Sequence, residues 1–208
     1  MRALIVGASR GIGAALAEAM RARGDDVLAA NRSDGFDAEA DDFEERLKAL
    51  VGDAPLDLLV YNAGLLEDRG MRIGDDIPRD VWARGFAVHV TGPYRAAEAV
   101  LPNLRAAKGR IGIVSSQLGS SAQASGGMYV YRATKAAAVN LALNLAADLA
   151  PDVAVGAYHP GWVRTDMGGP SAAISPEESA AGLLERFDAL GPGHTGVFET
   201  WDGRAHPV

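Results

Sequence analysis

A phenol and an ammonium four residues apart, Tyr131 and Lys135 in the stretch Tyr-Arg-Ala-Thr-Lys, could move a proton together. On a helix such residues share a face, so the lysine charge can favour the phenolate of the tyrosine. An unperturbed tyrosine titrates near ~10, and each unit of downward shift takes about 1.4 kcal/mol of preference for the phenolate. Lysine occurs only at Lys48, Lys108 and Lys135, every other basic side chain except histidine being arginine. A compact ammonium can serve a ribose and a nearby phenol at once, which the planar guanidinium fork does less easily. The bland alternative is a Tyr and a Lys decorating a helix surface, and a cofactor is needed to give the pair work.

The elements that must carry this pair alternate between apolar runs of strand length and Ala/Leu-rich helical stretches. That alternation predicts an α/β chain with a doubly wound parallel sheet of the Rossmann type and helices on both faces. Strands are expected near Ala3–Val6, Val27–Asn31, Leu58–Asn62, Arg110–Ser115, Val153–Tyr158 and Gly196–Trp201. Helices are expected over Ile12–Arg23, Glu39–Val51, Tyr129–Leu149 and Pro176–Leu190, with one long helix or a broken pair over Arg79–Arg105. In such folds ligands bind beyond the carboxyl ends of the strands, where Tyr131 and Lys135 should lie.

At 208 residues with 48% hydrophobic content, the chain suits one domain over 1–208 that holds every site. A net charge of -7 with scattered basic residues argues against nucleic acid and anionic membranes as partners. No apolar run reaches the roughly 18 residues of a spanning helix, and Met-Arg leads straight into a strand without a signal-peptide pattern. A cytoplasmic protein is expected. The absence of cysteine removes thiolate chemistry, and His89, His159, His194 and His206 lack metal-ligand spacing, so no metal is expected.

The first strand runs into Gly7-Ala8-Ser9-Arg10-Gly11-Ile12-Gly13 and then a helix. Glycines there permit a tight turn and close backbone approach while the helix N-terminus faces a pyrophosphate. An acidic residue at the end of the second strand would bond a ribose 2'-hydroxyl. Asn31 and Arg32 stand there instead and, with Arg10, suit a 2'-phosphate. The cofactor expected is therefore NADP(H) in preference to NAD(H), which the same cradle would still accept.

In this order the motifs resemble the short-chain dehydrogenase/reductase family over nearly the whole chain. The glycines fit GxxxGxG; Asn62-Ala63-Gly64 ends a strand; Ser116 precedes Tyr131 by 15 residues; and Pro160-Gly161 is followed by Val163 and Thr165. The branch most resembled is that of the small C-factor-like and sniffer-like carbonyl reductases. The resemblance implies that Tyr131 is the general acid of carbonyl reduction and the base of the reverse reaction. It implies that Ser116 polarises the carbonyl and that Lys135 holds the nicotinamide ribose and lowers the Tyr131 pKa. Pro160, Gly161, Val163 and Thr165 would hold the nicotinamide, and Asn62, Ala63 and Gly64 the adenine side. Asn62 can equally be a strand-end cap. Homodimers or homotetramers, paired through Ala/Leu-rich helices, follow from the same resemblance.

Three positions depart from the family pattern. His89 replaces the fourth catalytic residue, an asparagine; it can bind a relay water and charge near pH ~6.5, or be a satisfied histidine at a helix kink. Val6 replaces a threonine whose hydroxyl ties the glycine loop. Only about 26 residues separate the second strand from Leu58, too few for a helix, a strand and a second helix. A shortened or missing third strand is expected, with Asp37 either contacting adenine or capping a helix.

For substrate, Leu65, Leu66, Gln117, Leu118, Gln123, Met128, Trp162 and Met167 flank the site, with Arg69 and Arg164 within conceivable reach of a carboxylate. The expected activity is hydride transfer between nicotinamide and a carbonyl or alcohol. A cofactor-binding sensor with little turnover is the alternative. A sugar-nucleotide epimerase fits less well, because those enzymes space their glycines as GxxGxxG and carry a larger C-terminal region.

Overall fold

Strands β1 (Arg2–Val6), β2 (Asp26–Ala30), β3 (Leu58–Tyr61), β4 (Arg110–Val114), β5 (Ala154–His159) and β6 (Val197–Thr200) make one sheet in the computed structural model, which describes residues 1–208. All pairings are parallel, in the order β2-β1-β3-β4-β5-β6. The order reverses at β1, which opens a crevice above the carboxyl ends of β1 and β3. Every residue of β3 and β5 is buried, as expected of parallel strands covered on both faces.

The helices are α1 (Gly11–Ala22), α2 (Phe43–Val51), α3 (Arg79–Phe86), α4 (Gly92–Ala107), α5 (Tyr129–Leu149) and α6 (Pro176–Ala189). Leu16 and Met20 of α1 pack with Leu183 and Phe187 of α6 over one face of the sheet. Phe43 and Leu47 of α2, Val100 and Leu104 of α4, and Val139 and Ala142 of α5 cover the other. No helix is long and apolar enough to cross a membrane.

No strand forms between Ala30 and Leu58, so β2 is the sheet edge and the short connection holds only a tight turn at Arg32–Asp34 and α2. Helix α2 starts at Phe43, four residues later than the sequence suggests. The cause is Arg95 of α4, whose guanidinium donates to the carbonyls of Ala38 (2.9 Å) and Ala40 (2.9 Å) and pairs with Glu44. Carbonyls turned towards a distant arginine cannot join an α-helical ladder.

The Arg79–Arg105 stretch is a single rod interrupted by a π-turn at Ala87–Thr91. Pro93 lacks the N–H that an α-helix would direct at His89, and the Tyr61 hydroxyl donates to the Val88 carbonyl at 2.9 Å. Gly92 makes this approach possible, since a Cβ there would lie 2.1 Å from the Tyr61 hydroxyl. The turn places His89 under the site.

Candidate active site

Ser116 follows β4 and is buried; its Oγ accepts the Leu118 N–H at 3.1 Å, which fixes the side chain at the head of a tight turn. The neighbouring Ser115 hydroxyl donates to the Lys135 carbonyl at 3.0 Å and ties β4 to α5. Tyr131 and Lys135 lie on the buried face of α5, as their spacing predicts. The Tyr131 hydroxyl lies close enough to the Ser116 side chain for that hydroxyl to favour its phenolate, and it is 3.9 Å from the Met167 sulfur.

The electrostatics differ from the sequence expectation. Burial pushes the Tyr131 phenol upward, opposed by the Ser116 hydroxyl and by the Arg69 charge. The Lys135 Nζ donates to the Val114 carbonyl at 2.9 Å and sits 5.8 Å from the centre of the tyrosine ring. Burial lowers Lys135 itself to about 8.

His89 is buried edge-on to Tyr131, with ring centroids 5.6 Å apart. The Leu65 N–H donates to Nε2 at 3.1 Å, which leaves the proton on Nδ1, directed at the Thr134 hydroxyl 2.8 Å away. Thr134 passes its own proton to the Val130 carbonyl at 2.8 Å. Both imidazole nitrogens are thus taken by protein. Burial, reinforced by the Lys135 charge, lowers the His89 pKa to about 2. The expectation that His89 charges near pH ~6.5 and holds a relay water is therefore replaced by a neutral ring that fixes the backbone after Gly64.

At the crevice, Gly7 has φ of 88° and Gly13 packs so closely that a Cβ would fall 2.0 Å from the Gly7 carbonyl oxygen. The loop lacks the threonine tie at Val6 but has two others. Asn31 Oδ1 accepts the Ala8 N–H at 2.9 Å, and Asn62 Nδ2 donates to the Gly7 carbonyl at 2.7 Å. Asn31 is thereby committed to the loop rather than free for a phosphate. No side chain caps the N-terminus of α1, so its first amides, with Ser9, Gly11 and Ile12 around them, remain open to an anion.

The three side chains expected around the adenosine separate. Arg32 is exposed in its turn and makes no protein hydrogen bond or ion pair, which leaves a cation at the end of β2. Arg10 pairs through one terminal nitrogen with Asp166 at 3.0 Å, both side chains lying mostly in solvent. Asp37 Oδ1 accepts the Glu39 N–H at 3.0 Å and stabilises a turn before α2 rather than capping it.

On the opposite wall, the Pro160 carbonyl accepts the Ser179 hydroxyl at 2.6 Å, Val163 bridges Ile174, and Thr165 Oγ1 accepts the Gly168 N–H at 3.0 Å. Gly161, with φ of 88°, turns the chain there. Arg164 donates to the Ala172 and Ala173 carbonyls, both at 3.1 Å, and Arg69 donates one N–H to the Met167 carbonyl while its charge bears on Tyr131.

One residue of consequence escaped sequence reasoning. Asp68, only 1% exposed, accepts the Val130 N–H at 2.7 Å and caps α5, whose own preceding residue, Met128, is left-handed with φ of 47°. The cap comes from 62 residues away in the chain, so no local motif announces it. Asp68→Ala leaves these amides without an acceptor and should cost about 1–2 kcal/mol in denaturant unfolding. A midpoint unchanged from that of the parent chain would contradict the capping role.

Residues 36–173 match the model of the short chain dehydrogenase family. The C-signal protein of Myxococcus xanthus is 40% identical over 74% of this chain and 93% of its own length. The carbonyl reductase Sniffer of D. melanogaster superposes with a TM-score of 0.86 at 25% identity, covering 100% of this chain and 99% of that one. A carbonyl reductase from Pseudomonas aeruginosa PAO1 in complex with NADP gives 0.85 at 29% identity, with 100% and 99% coverage.

Proposed function

Because this chain belongs to the short-chain dehydrogenase family, we propose that it is an NADP(H)-dependent oxidoreductase interconverting a carbonyl compound and its alcohol. The observation that carries the reading is the meeting of Ser116 and Tyr131, with Lys135 behind them, beside an uncapped helix N-terminus at the sheet's switch point.

The residues fit the cofactor. The Gly13 cradle, which a Cβ would fill, and the open amides of α1 suit a pyrophosphate, and the unpaired Arg32 suits a 2'-phosphate. Asn62 and Ala63 would wall the adenine side, Gly64 lies against His89 and Lys135, and Pro160, Gly161, Val163 and Thr165 would hold the nicotinamide. NADPH, when bound, supplies the hydride.

Tyr131 donates its phenolic proton to the carbonyl oxygen as that hydride arrives, and in the reverse direction it accepts the proton from the alcohol. Burial keeps the phenol protonated, which suits an acid, and the Ser116 hydroxyl shares the developing charge on the substrate oxygen. Lys135, held at β4, presents its remaining donors to the cofactor ribose. His89 holds the Leu65 amide and the ring of Tyr131 in place, so its part is positioning.

Arg32→Ala should weaken NADPH binding about tenfold or more and leave NADH within about threefold, since one charge-assisted bond to phosphate is worth about 1.5–3 kcal/mol. Equal losses for both cofactors, measured by titration, would discard the assignment. The enzyme is read as one cytoplasmic domain over 1–208. Exposed Phe86 of α3 and Tyr94 of α4 support pairing into a homodimer or homotetramer.

Similarity to the C-signal protein supports a second reading, a cofactor-binding signalling protein without turnover. Tight NADPH binding with no oxidation across a broad carbonyl panel would favour it.

A further inference from the structure

A cavity of about 380 Å³ lies beyond the carboxyl ends of β5 and β6, at the small end of the range for small-molecule sites. It begins one residue from Ser116, at Gln117, and one residue from Val163, at Trp162. Trp162, Ile174 and Trp201 give it apolar walls, but its polar lining has no evident structural employment. His159 is only 8% exposed and its Nδ1 is buried without a partner, a state native proteins rarely leave unexplained. The side chains of Gln117 and Gln123 make no hydrogen bond within the protein. Arg204 uses Nε alone, donating to the two Asp202 oxygens at 3.2 and 3.0 Å, and both terminal nitrogens remain unpaired. Asp202 so orients the guanidinium and leaves its carboxylate-binding edge open.

We infer that this cavity takes the distal arm of the substrate, and that the arm is polar and ends in a carboxylate held by Arg204, with Gln117, Gln123 and His159 bonding along it. This deepens the reductase reading and rests on it. Arg204 then supplies, within the cavity that Trp162 also lines, a carboxylate anchor separate from Arg69 and Arg164. A purely apolar arm would leave the buried His159 nitrogen without a partner, whereas the exposed amides of Gln117 and Gln123 can turn to a polar one.

The test uses methyl ketones of graded chain length ending in a carboxylate, each paired with the ketone ending in an isopropyl group, its apolar counterpart of similar shape. With NADPH, the best carboxylate ketone should exceed its partner in kcat/KM by at least about tenfold, and Arg204→Met should reduce that ratio to below about threefold. Arg204 is exposed, so the variant should fold. Turnover of the isopropyl ketones equal to or better than the acids, or a ratio untouched by Arg204→Met, would overturn the assignment while leaving the reductase reading intact. Should neither series turn over, binding to Tyr131→Phe loaded with NADP+, followed by fluorescence of Trp162 and Trp201, separates the two claims. Carboxylate ketones that bind and lose at least about tenfold in affinity on adding Arg204→Met would uphold the carboxylate anchor. Absence of any such difference would overturn it, while the reductase reading is decided separately by the broad carbonyl panel.

Discussion

Tyr131→Phe should bind NADPH within about threefold of the parent chain and lose about 10²–10⁴-fold in turnover, the range that a positioned general acid contributes. Binding survives because the ring, edge-on to His89 at 5.6 Å, packs as before and only the hydroxyl is lost. That hydroxyl carries the proton for the substrate oxygen. Isothermal titration with NADPH and steady-state oxidation of NADPH by a reducible carbonyl check the two halves. Turnover within about tenfold of the parent would remove Tyr131 from the mechanism.

Lys135→Met should cost about hundredfold in turnover and reveal what burying the ammonium does to the fold. The folded Lys135 has a pKa of about 8 against an ordinary 10.5, because burial disfavours its charged form. Below about pH 8 both folded and unfolded chains hold the proton, and the folded state bears the full burial penalty. Between about pH 8 and 10.5 the unfolded chain holds a proton that the folded one has released, so stability climbs with pH. Above that window the penalty is gone. The shift corresponds to a penalty on the order of a few kcal/mol. Met removes it at every pH, although the Val114 carbonyl loses its donor at a cost of about 1–3 kcal/mol. Unfolding free energies should therefore converge towards the variant's pattern as pH rises, with the parent gaining relative to Lys135→Met across the window. Parallel curves would mean that Lys135 is not held charged against burial.

How much of this was legible depended on the distance over which each feature is built. The Tyr131–Lys135 face and the Gly7–Gly13 loop are set by spacing within one helix or one turn, and the sheet follows from apolar alternation; all three could be read from the chain. The missing strand was legible too, because the connection from β2 to Leu58 is simply short. The start of α2 was not, since Arg95 reaches back more than fifty residues to take the Ala38 and Ala40 carbonyls. His89 could be placed at a helix kink, but its partners, Leu65 and Thr134, come from two other segments and decide that it is neutral. Arg10 finds Asp166 across the crevice, Arg164 two carbonyls of the loop that follows it, and Asp37 the Glu39 N–H, partners that no motif announces. The motif supplies the reacting groups, and nonlocal hydrogen bonds decide which neighbours remain free to bind.

If Tyr131 and Ser116 serve a hydride transfer, incubation of the protein with NADPH deuterated at the transferable nicotinamide position and a panel of ketones and aldehydes, followed by mass spectrometry of the alcohols, reads it most directly. Deuterium on the carbinol carbon, on one face of the cofactor only, is the predicted result. Tight NADPH binding with no deuterium delivered to any carbonyl would contradict it.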